Sequence, residues 1–326
     1  MVQALVLTAG FGKRLDPLTR LVAKPAVPVA GRPLIERVLL WLRAEGVTRA
    51  VLNLHHRPET IAAIVGDGQH LGLHVRYSWE KTILGSAGGP RHALPLMDLV
   101  DTDTFVIVNG DTLTDLALGP MREAHLASGA DVTMAVVPNH ARDRYNGILA
   151  NDARHVTAFV LKGHTLPSWH FIGVQMVRAR VFAALPDGQP SETVAGVYRD
   201  LLREPGRVQV WPVHAPFIDV GTPADYLTAA LTLANAGGEA SCLEGDVTVA
   251  ASAHLTRSVV WPGARIGAHA SLTECIVAGA AIVPEGLSAT RKVIVPSAIA
   301  RPDDRCEHRN GIALFEMEPE LLTSGF

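Results

Sequence analysis

Between Leu7 and Pro25 the chain reads LTAGFGKRLDPLTRLVAKP. Gly10 and Gly12 follow an apolar stretch from Ala4 to Thr8, and the cations Lys13, Arg14 and Lys24 stand behind them. A glycine turn opens backbone N–H groups to an anion, and cations beside it make phosphate the natural ligand. The Walker A spacing is absent: the residue five before Gly12 is Leu7, and Lys13 is followed by Arg14 rather than Ser or Thr. The dinucleotide fingerprint is absent too, because Leu15 stands where a third glycine or an alanine belongs. Taken alone, the glycine pair also fits a plain tight turn.

Two carboxylates add to this loop. VNGD (108–111) ends an apolar run with Asp111 at its mouth, and FIDVGT (217–222) places Asp219 after a second strand-like run, VQVWPV, with Pro223 opening a helix. Each Asp alone also suits a turn or a helix cap. Two carboxylates at strand ends beside a cationic phosphate loop suit Mg²⁺, which takes few protein oxygens and shares the rest with water and phosphate.

These residues need a scaffold. Strand patterns occur at ALVLT, RAVLNLH (49–55), LHVRYS (73–78), TFVIVN (104–109) and DVTMAVV (131–137). Helical patterns lie between them: RPLIERVLLWLRAEGV, RPETIAAIVGDG, SAGGPRHALPLM and PMREAHLASGA. The first two carry Pro33 and Pro58 near their starts and Gly46 and Gly66 at their ends. Alternation of this kind predicts an α/β fold, doubly wound around a mainly parallel sheet, with ligands beyond the carboxyl ends of the strands. The opening loop and Asp111 fall at such ends.

After about residue 236 the pattern changes. NAGGEAS reads as a linker, and the segments 247–263, 264–280 and 281–297 then align at a period of 17. Val249, Ile266 and Val283 match; so do Leu255, Leu272 and Ala289, and Val259, Ile276 and Val293. Short apolar units at a fixed step predict stacked β coils. The reading is an α/β domain over 1–236, a repeat domain over 237–300, and a cap or tail over 301–326.

Composition bounds the rest. The chain has 326 residues, 48% hydrophobic and 19% charged, which is a globular balance. A net charge of −3 speaks against a nucleic-acid partner. No apolar run approaches the ~18 residues of a membrane span. The N-terminus enters a strand without a basic leader, and the three cysteines, Cys242, Cys275 and Cys306, are far apart and odd in number. They form neither a disulfide framework nor a metal motif, and the cytoplasm is the expected compartment.

The stretch TAGFGKRLDPLTRLVAKPAVPVAGRPLIERVL resembles the signature of sugar-1-phosphate nucleotidylyltransferases. The likeness continues through EKTILGSAGG (80–89), VNGD and FIDVGTPADYL (217–227), and covers nearly the whole chain. It implies the nucleotide-diphospho-sugar transferase type of sheet, followed by a short left-handed β-helix. It also implies the reaction: a sugar 1-phosphate oxygen attacks the α-phosphorus of a nucleoside triphosphate, giving an NDP-sugar and pyrophosphate. By the resemblance, the backbone around Ala9, Gly10 and Gly12 cradles the nucleotide. Arg14 neutralises the departing phosphates, Lys24 braces the reacting centre, and Asp111 and Asp219 hold Mg²⁺. Gly147 and Lys162 serve the acceptor, and Glu80 and Gly85 flank the base. A carboxylate at Glu80 has only acceptors to offer, and guanine alone presents two adjacent donors, so GTP is the expected nucleotide. LGSAGG also resembles the LGTAG of mannose-1-phosphate guanylyltransferases. Lys13 reads as surface charge.

Departures concentrate on the acceptor side. FVLKG (159–163) keeps Lys162 but has Leu161 and Gly163 where the family pattern F-x-E-K-P has glutamate and proline. FIGV (171–174) has Phe171 in place of the asparagine of N-A-G-I. The acceptor is therefore open. Two alternatives stand beside a sugar phosphate enzyme: one acting on phosphocholine or a phosphonate, and a non-catalytic relative that binds NDP-sugar. Self-association through the β-helix is expected, because a short solenoid exposes apolar surface. His55 and His56 lack metal spacing and read as a surface pair, and Trp79, Trp169 and Trp211 read as core or pocket, with core the better fit.

Overall fold

The computed structural model describes residues 2–99, 103–235 and 237–317. They pack as two compact units: one takes the chain up to Gly10 and Ile35–Ile218, the other Phe11–Leu34 and the chain from Asp219 on. Packing thus divides the chain differently from a cut at 236. The loop beyond Gly10 and the helix Pro223–Leu233 lie in the unit that holds the repeats.

The first unit is built on a nine-stranded sheet. Ala4–Leu7 is central, parallel to Arg49–Leu54 on one side and Thr104–Asn109 on the other. His74–Trp79 extends the parallel block beyond Arg49–Leu54. Residues 4–6 and 104–108 are buried throughout, as near-continuous apolar runs in a sheet covered on both faces should be. The four expected helices are present at Leu34–Ala44, Pro58–Val65, Gly85–Ala93 and Leu118–Ser128.

The sheet is more mixed than its parallel centre. Trp169–Arg178 runs antiparallel to both Thr104–Asn109 and Val132–Pro138. Gly147–Ala150 and Val156–Val160 form an antiparallel pair at one edge, and Val208–Pro212 lies parallel to Val132–Pro138. The strand Trp169–Arg178 is buried without a break from Ile172 to Val177, so it has no polar face to announce it by alternation. The short strand Phe217–Asp219, in which the first unit ends, pairs with Thr112–Thr114.

In the second unit the 17-residue repeat becomes three parallel sheets. Val249 pairs with Ile266 and Ile266 with Val283, Leu255 with Leu272 and Leu272 with Ala289, and Val259 with Ile276 and Ile276 with Val293. Three flat sheets stacked at a constant step are the architecture of a left-handed β-helix. The inward residues Val260, Val277 and Ile294 are fully buried and share one core with Ile266, Leu272 and Val283, while Val259, Ile276 and Val293, on the other face of the same strands, are buried as well. Ile312–Glu316 folds back antiparallel on Lys292–Pro296, and Cys306–Arg309 pairs outside it. These strands close an edge that would otherwise be open to another chain. The rest of the expected cap or tail, residues 318–326, lies outside the described residues. Cys242 and Cys275 are buried, and Cys306 is half-buried. Among the described residues no helix is long and apolar enough to cross a membrane.

Candidate functional site

In the second unit, three short turns carry the cationic loop: Lys13–Leu15, Leu18–Arg20 and Lys24–Ala26. Gly12 opens the first in the left-handed region, at φ 62°, a conformation glycine adopts without cost. A Cβ at Gly12 would stand 2.9 Å from Thr19 Cγ2 and 3.0 Å from Lys24 Cβ. The bare glycine therefore lets the stem of Lys24 lie against the first turn, although twelve residues separate them. Arg14 and Lys13 are exposed, and Lys13 sits over the Phe11 ring at 5.5 Å.

Gly221 marks the second feature of this unit. A Cβ there would stand 3.0 Å from Asp225 Oδ2 and 3.2 Å from both Arg14 Nη1 and Asp219 Oδ2. The absent side chain thus keeps a space that Arg14 and Asp219 both border. Asp225 is fixed by a capping box at the start of Pro223–Leu233: Thr222 donates to it from its backbone N–H and its hydroxyl, each at 2.9 Å. Sequence reasoning passed over Gly221; the small residue between a carboxylate and a helix cap in FIDVGT was the available signal.

In the first unit, the carboxyl ends of the parallel strands are tied by a buried polar relay. The Thr8 N–H donates to Asn53 Oδ1 at 2.7 Å, Asn53 Nδ2 donates to Glu80 Oε1 at 2.7 Å, and the Leu84 N–H donates to Glu80 Oε2 at 2.9 Å. Ala9 is buried behind Gly10, and nothing lies within 4 Å of where a Cβ on Gly10 would be, so its backbone faces open space.

This relay corrects the expectation for Glu80. Its side chain is 5% exposed and both its oxygens accept from the protein itself. It braces the loop 80–84 and does not offer a bidentate face to a base. Alternation carried the signal: Ser78 and Glu80 point inward, while Trp79 between them is 57% exposed, against the core placement expected for it. Trp169 and Trp211 are half-buried. Gly85 is required by packing as well, because a Cβ there would lie 2.6 Å from both Glu192 Oε1 and the Ser191 carbonyl oxygen. His55 shares the neighbourhood, its Nδ1 lying 2.9 Å from the Glu80 carbonyl oxygen.

Asp111 is half-buried just beyond Thr104–Asn109, where the Gly110 N–H donates to the Leu7 carbonyl at 2.9 Å. Gly147 and Lys162 meet at the end of one antiparallel pair. Gly147 lies opposite Val160, and the Lys162 N–H donates to Asn146 Oδ1 at 2.9 Å. Lys162 is exposed, and Leu161 beside it is 72% exposed.

One group near this hairpin was not foreseen. His170 is packed between the tilted rings of Tyr145, centroid at 4.1 Å, and Phe217, centroid at 5.5 Å. Burial, with Arg144 nearby, lowers its pKa to about 4. Among the described residues neither ring nitrogen has a hydrogen-bond partner.

Among the described residues no three His, Cys, Asp or Glu side chains gather as a metal cluster. A divalent cation held by one or two carboxylates would share its remaining positions with water and phosphate. The cleared space beside the Asp219 carboxylate is compatible with such an ion.

The nucleotidyl transferase family model matches residues 3–236, and the GlmU-like C-terminal hexapeptide model matches residues 227–291. The mannose-1-phosphate guanylyltransferase of Mycobacterium tuberculosis is 28% identical over 281 residues, covering 85% of this chain and 75% of that protein. The UTP–glucose-1-phosphate uridylyltransferase of Synechocystis is 28% identical over 242 residues, 70% of this chain and 62% of that one. HddC from Yersinia pseudotuberculosis, solved also in complex with GMP-PN, superposes with a TM-score of 0.62 at 24% identity, over 72% of this chain and 100% of its own. The chain belongs to the nucleotidyl transferase family.

Proposed function

We propose that the protein transfers a nucleoside monophosphate from a nucleoside triphosphate, with GTP preferred, to a sugar 1-phosphate, releasing pyrophosphate. The observation that carries this reading is the space at Gly221, bordered at 3.2 Å by a cation and by a carboxylate. In-line phosphoryl transfer needs positioning and charge neutralisation more than a covalent group. Arg14 takes up charge on the departing pyrophosphate, and Lys24, held against Gly12, braces the phosphates. Asp111 and Asp219 would hold Mg²⁺, which supplies electrophilic assistance at the α-phosphate. Lys162 and Gly147 serve the acceptor phosphate. With Glu80 engaged internally, the case for guanine rests on the guanylyltransferase relative and on LGSAGG, and the base is read by groups other than that carboxylate.

We place the enzyme in the cytoplasm, and its self-association on the β-helix, where Leu243 and Ile282 are exposed. The test is a pyrophosphate-release screen of five nucleoside triphosphates against hexose 1-phosphates, phosphocholine and phosphonates, with and without Mg²⁺. Release that needs GTP, a hexose 1-phosphate and Mg²⁺ together is expected. A better rate with UTP overturns the base assignment, and release only with phosphocholine or a phosphonate overturns the acceptor class.

A further inference from the structure

Arg20 lies in the second turn of the cationic loop and is largely shielded from solvent, its side chain 11% exposed. All five of its N–H donors are engaged. Nε donates to Asp16 Oδ2 at 2.8 Å, and Nη2 reaches the same oxygen. Nη1 donates to the Ile299 carbonyl at 3.2 Å and to Asp304 Oδ2, and Nη2 donates to Asp304 Oδ1 at 2.9 Å. The guanidinium lies 5.4 Å from the centre of the Phe315 ring. Ile299, Asp304 and Phe315 all belong to the C-terminal end of the repeat domain, about 280–295 residues away in sequence. Next to Arg20, Leu21 fills the space over Gly279, whose Cβ would stand 2.7 Å from Leu21 Cδ2.

The contact continues inward. Asp16 accepts from Thr19 Oγ1 at 3.5 Å, that hydroxyl lies 3.3 Å from the Gly12 carbonyl oxygen, and the Thr19 methyl and the Lys24 stem pack where a Gly12 Cβ would be. One contiguous set of contacts therefore runs from Asp304 through Arg20, Asp16 and Thr19 to Gly12 and Lys24.

We propose that Arg20 and Asp304 are positioning residues for the reaction: the C-terminal cap holds the phosphate loop in its working shape. The repeat domain is then part of the catalytic apparatus as well as an assembly surface, and removing it costs turnover. The inference rests on the reading of that loop as the phosphate-binding element. A planar fork with five donors fits this role where an ammonium does not, so Arg20→Lys is itself informative.

The test uses the full chain and compares Arg20→Lys, Asp304→Asn, the double variant, Arg14→Ala and, as a control in the same cap, Arg309→Ala, whose exposed pair with Glu307 does not touch the loop. Thermal midpoints are measured first, and kcat and KM for the nucleotide well below them. Arg20→Lys and Asp304→Asn should each lower kcat by about 10–100-fold, the cost of a loop misplaced by roughly 1 Å. The double variant should be no worse than the poorer single one, and Arg309→Ala should keep the parental kcat. A lower thermal midpoint with parental kcat in Asp304→Asn means the contact is structural only and overturns the inference. Impaired Arg14→Ala beside parental Arg20→Lys and Asp304→Asn overturns the inference alone. Parental turnover in Arg14→Ala overturns the reading of the loop, and the inference falls with it.

Discussion

Gly221→Ala probes the site through one methyl. Gly221 is buried and outside the left-handed region, so alanine meets no backbone penalty there. The added Cβ would stand 3.0 Å from Asp225 Oδ2 and 3.2 Å from Arg14 Nη1 and Asp219 Oδ2. Carbon contacts are comfortable from roughly 3.5 Å, so each neighbour must yield by a few tenths of an ångström. Asp225 is held by two donors from Thr222 at 2.9 Å and yields least. The displacement therefore falls on Asp219 and on the exposed Arg14. Arg14 is a long side chain at the surface, so the folding cost stays at the low end of overpacking, about 1 kcal/mol. The catalytic cost is larger, because displacements approaching 1 Å in a positioned group lower rates by up to ~10²-fold. We expect kcat to fall about 10–100-fold, equivalent to ~1.4–2.7 kcal/mol of barrier. Pyrophosphate release under saturating substrates, paired with a thermal melt, reads both quantities. Gly119→Ala, at a position with nothing within 4 Å, is the control. A parental kcat in Gly221→Ala would show that Arg14 and Asp219 do not act at this space.

Three further outcomes are expected. Asp111→Asn and Asp219→Asn keep volume and remove a hard anionic ligand, so each should lose orders of magnitude in turnover without losing its melt; near-parental turnover at saturating Mg²⁺ removes that residue from the metal site. Glu80→Gln presents an amide N–H₂ to Asn53 or Leu84 and leaves a buried donor unmatched, which costs about 1–3 kcal/mol of stability; the GTP to UTP preference should not change, and a shifted preference at unchanged stability would return the base to Glu80. Burial lowers both His125 and His170 to about 4, from the usual 6.5, so the unfolded chain binds protons that the folded chain refuses. Stability is then full above pH 6.5 and declines as pH falls toward 4, by on the order of 3 kcal/mol for each histidine. Asp304, held near 2 by Arg20, adds a separate loss only as pH falls from the ordinary carboxylate range toward that value. Urea melts at stepped pH test this, and His170→Phe should flatten the upper part of the decline; a melt unchanged between pH 6.5 and 4.5 refutes it.

The sequence by itself determined what is periodic or local. The 17-residue step predicted the rung register between residues 247 and 297, because in a solenoid each coil contacts only the next and register repeats with the chain. Six of the nine sheet strands of the first unit and the helices between them followed from apolar runs and from Pro and Gly at their ends. The glycines and cations of the opening loop were legible as a motif because they fall within a short span of sequence. Tertiary structure alone decided what depends on neighbours distant in sequence. Glu80 looks like a base reader by its place in a motif, and becomes a brace because Asn53 and the Leu84 N–H converge on its two oxygens. Gly221 and Gly85 owe their identity to side chains and carbonyls that only folding brings within 3.2 Å. Arg20 is one more cation in a basic stretch until the chain folds. Its five donors then find Asp16, Ile299 and Asp304, and no pattern in sequence encodes a contact between residue 20 and residue 304.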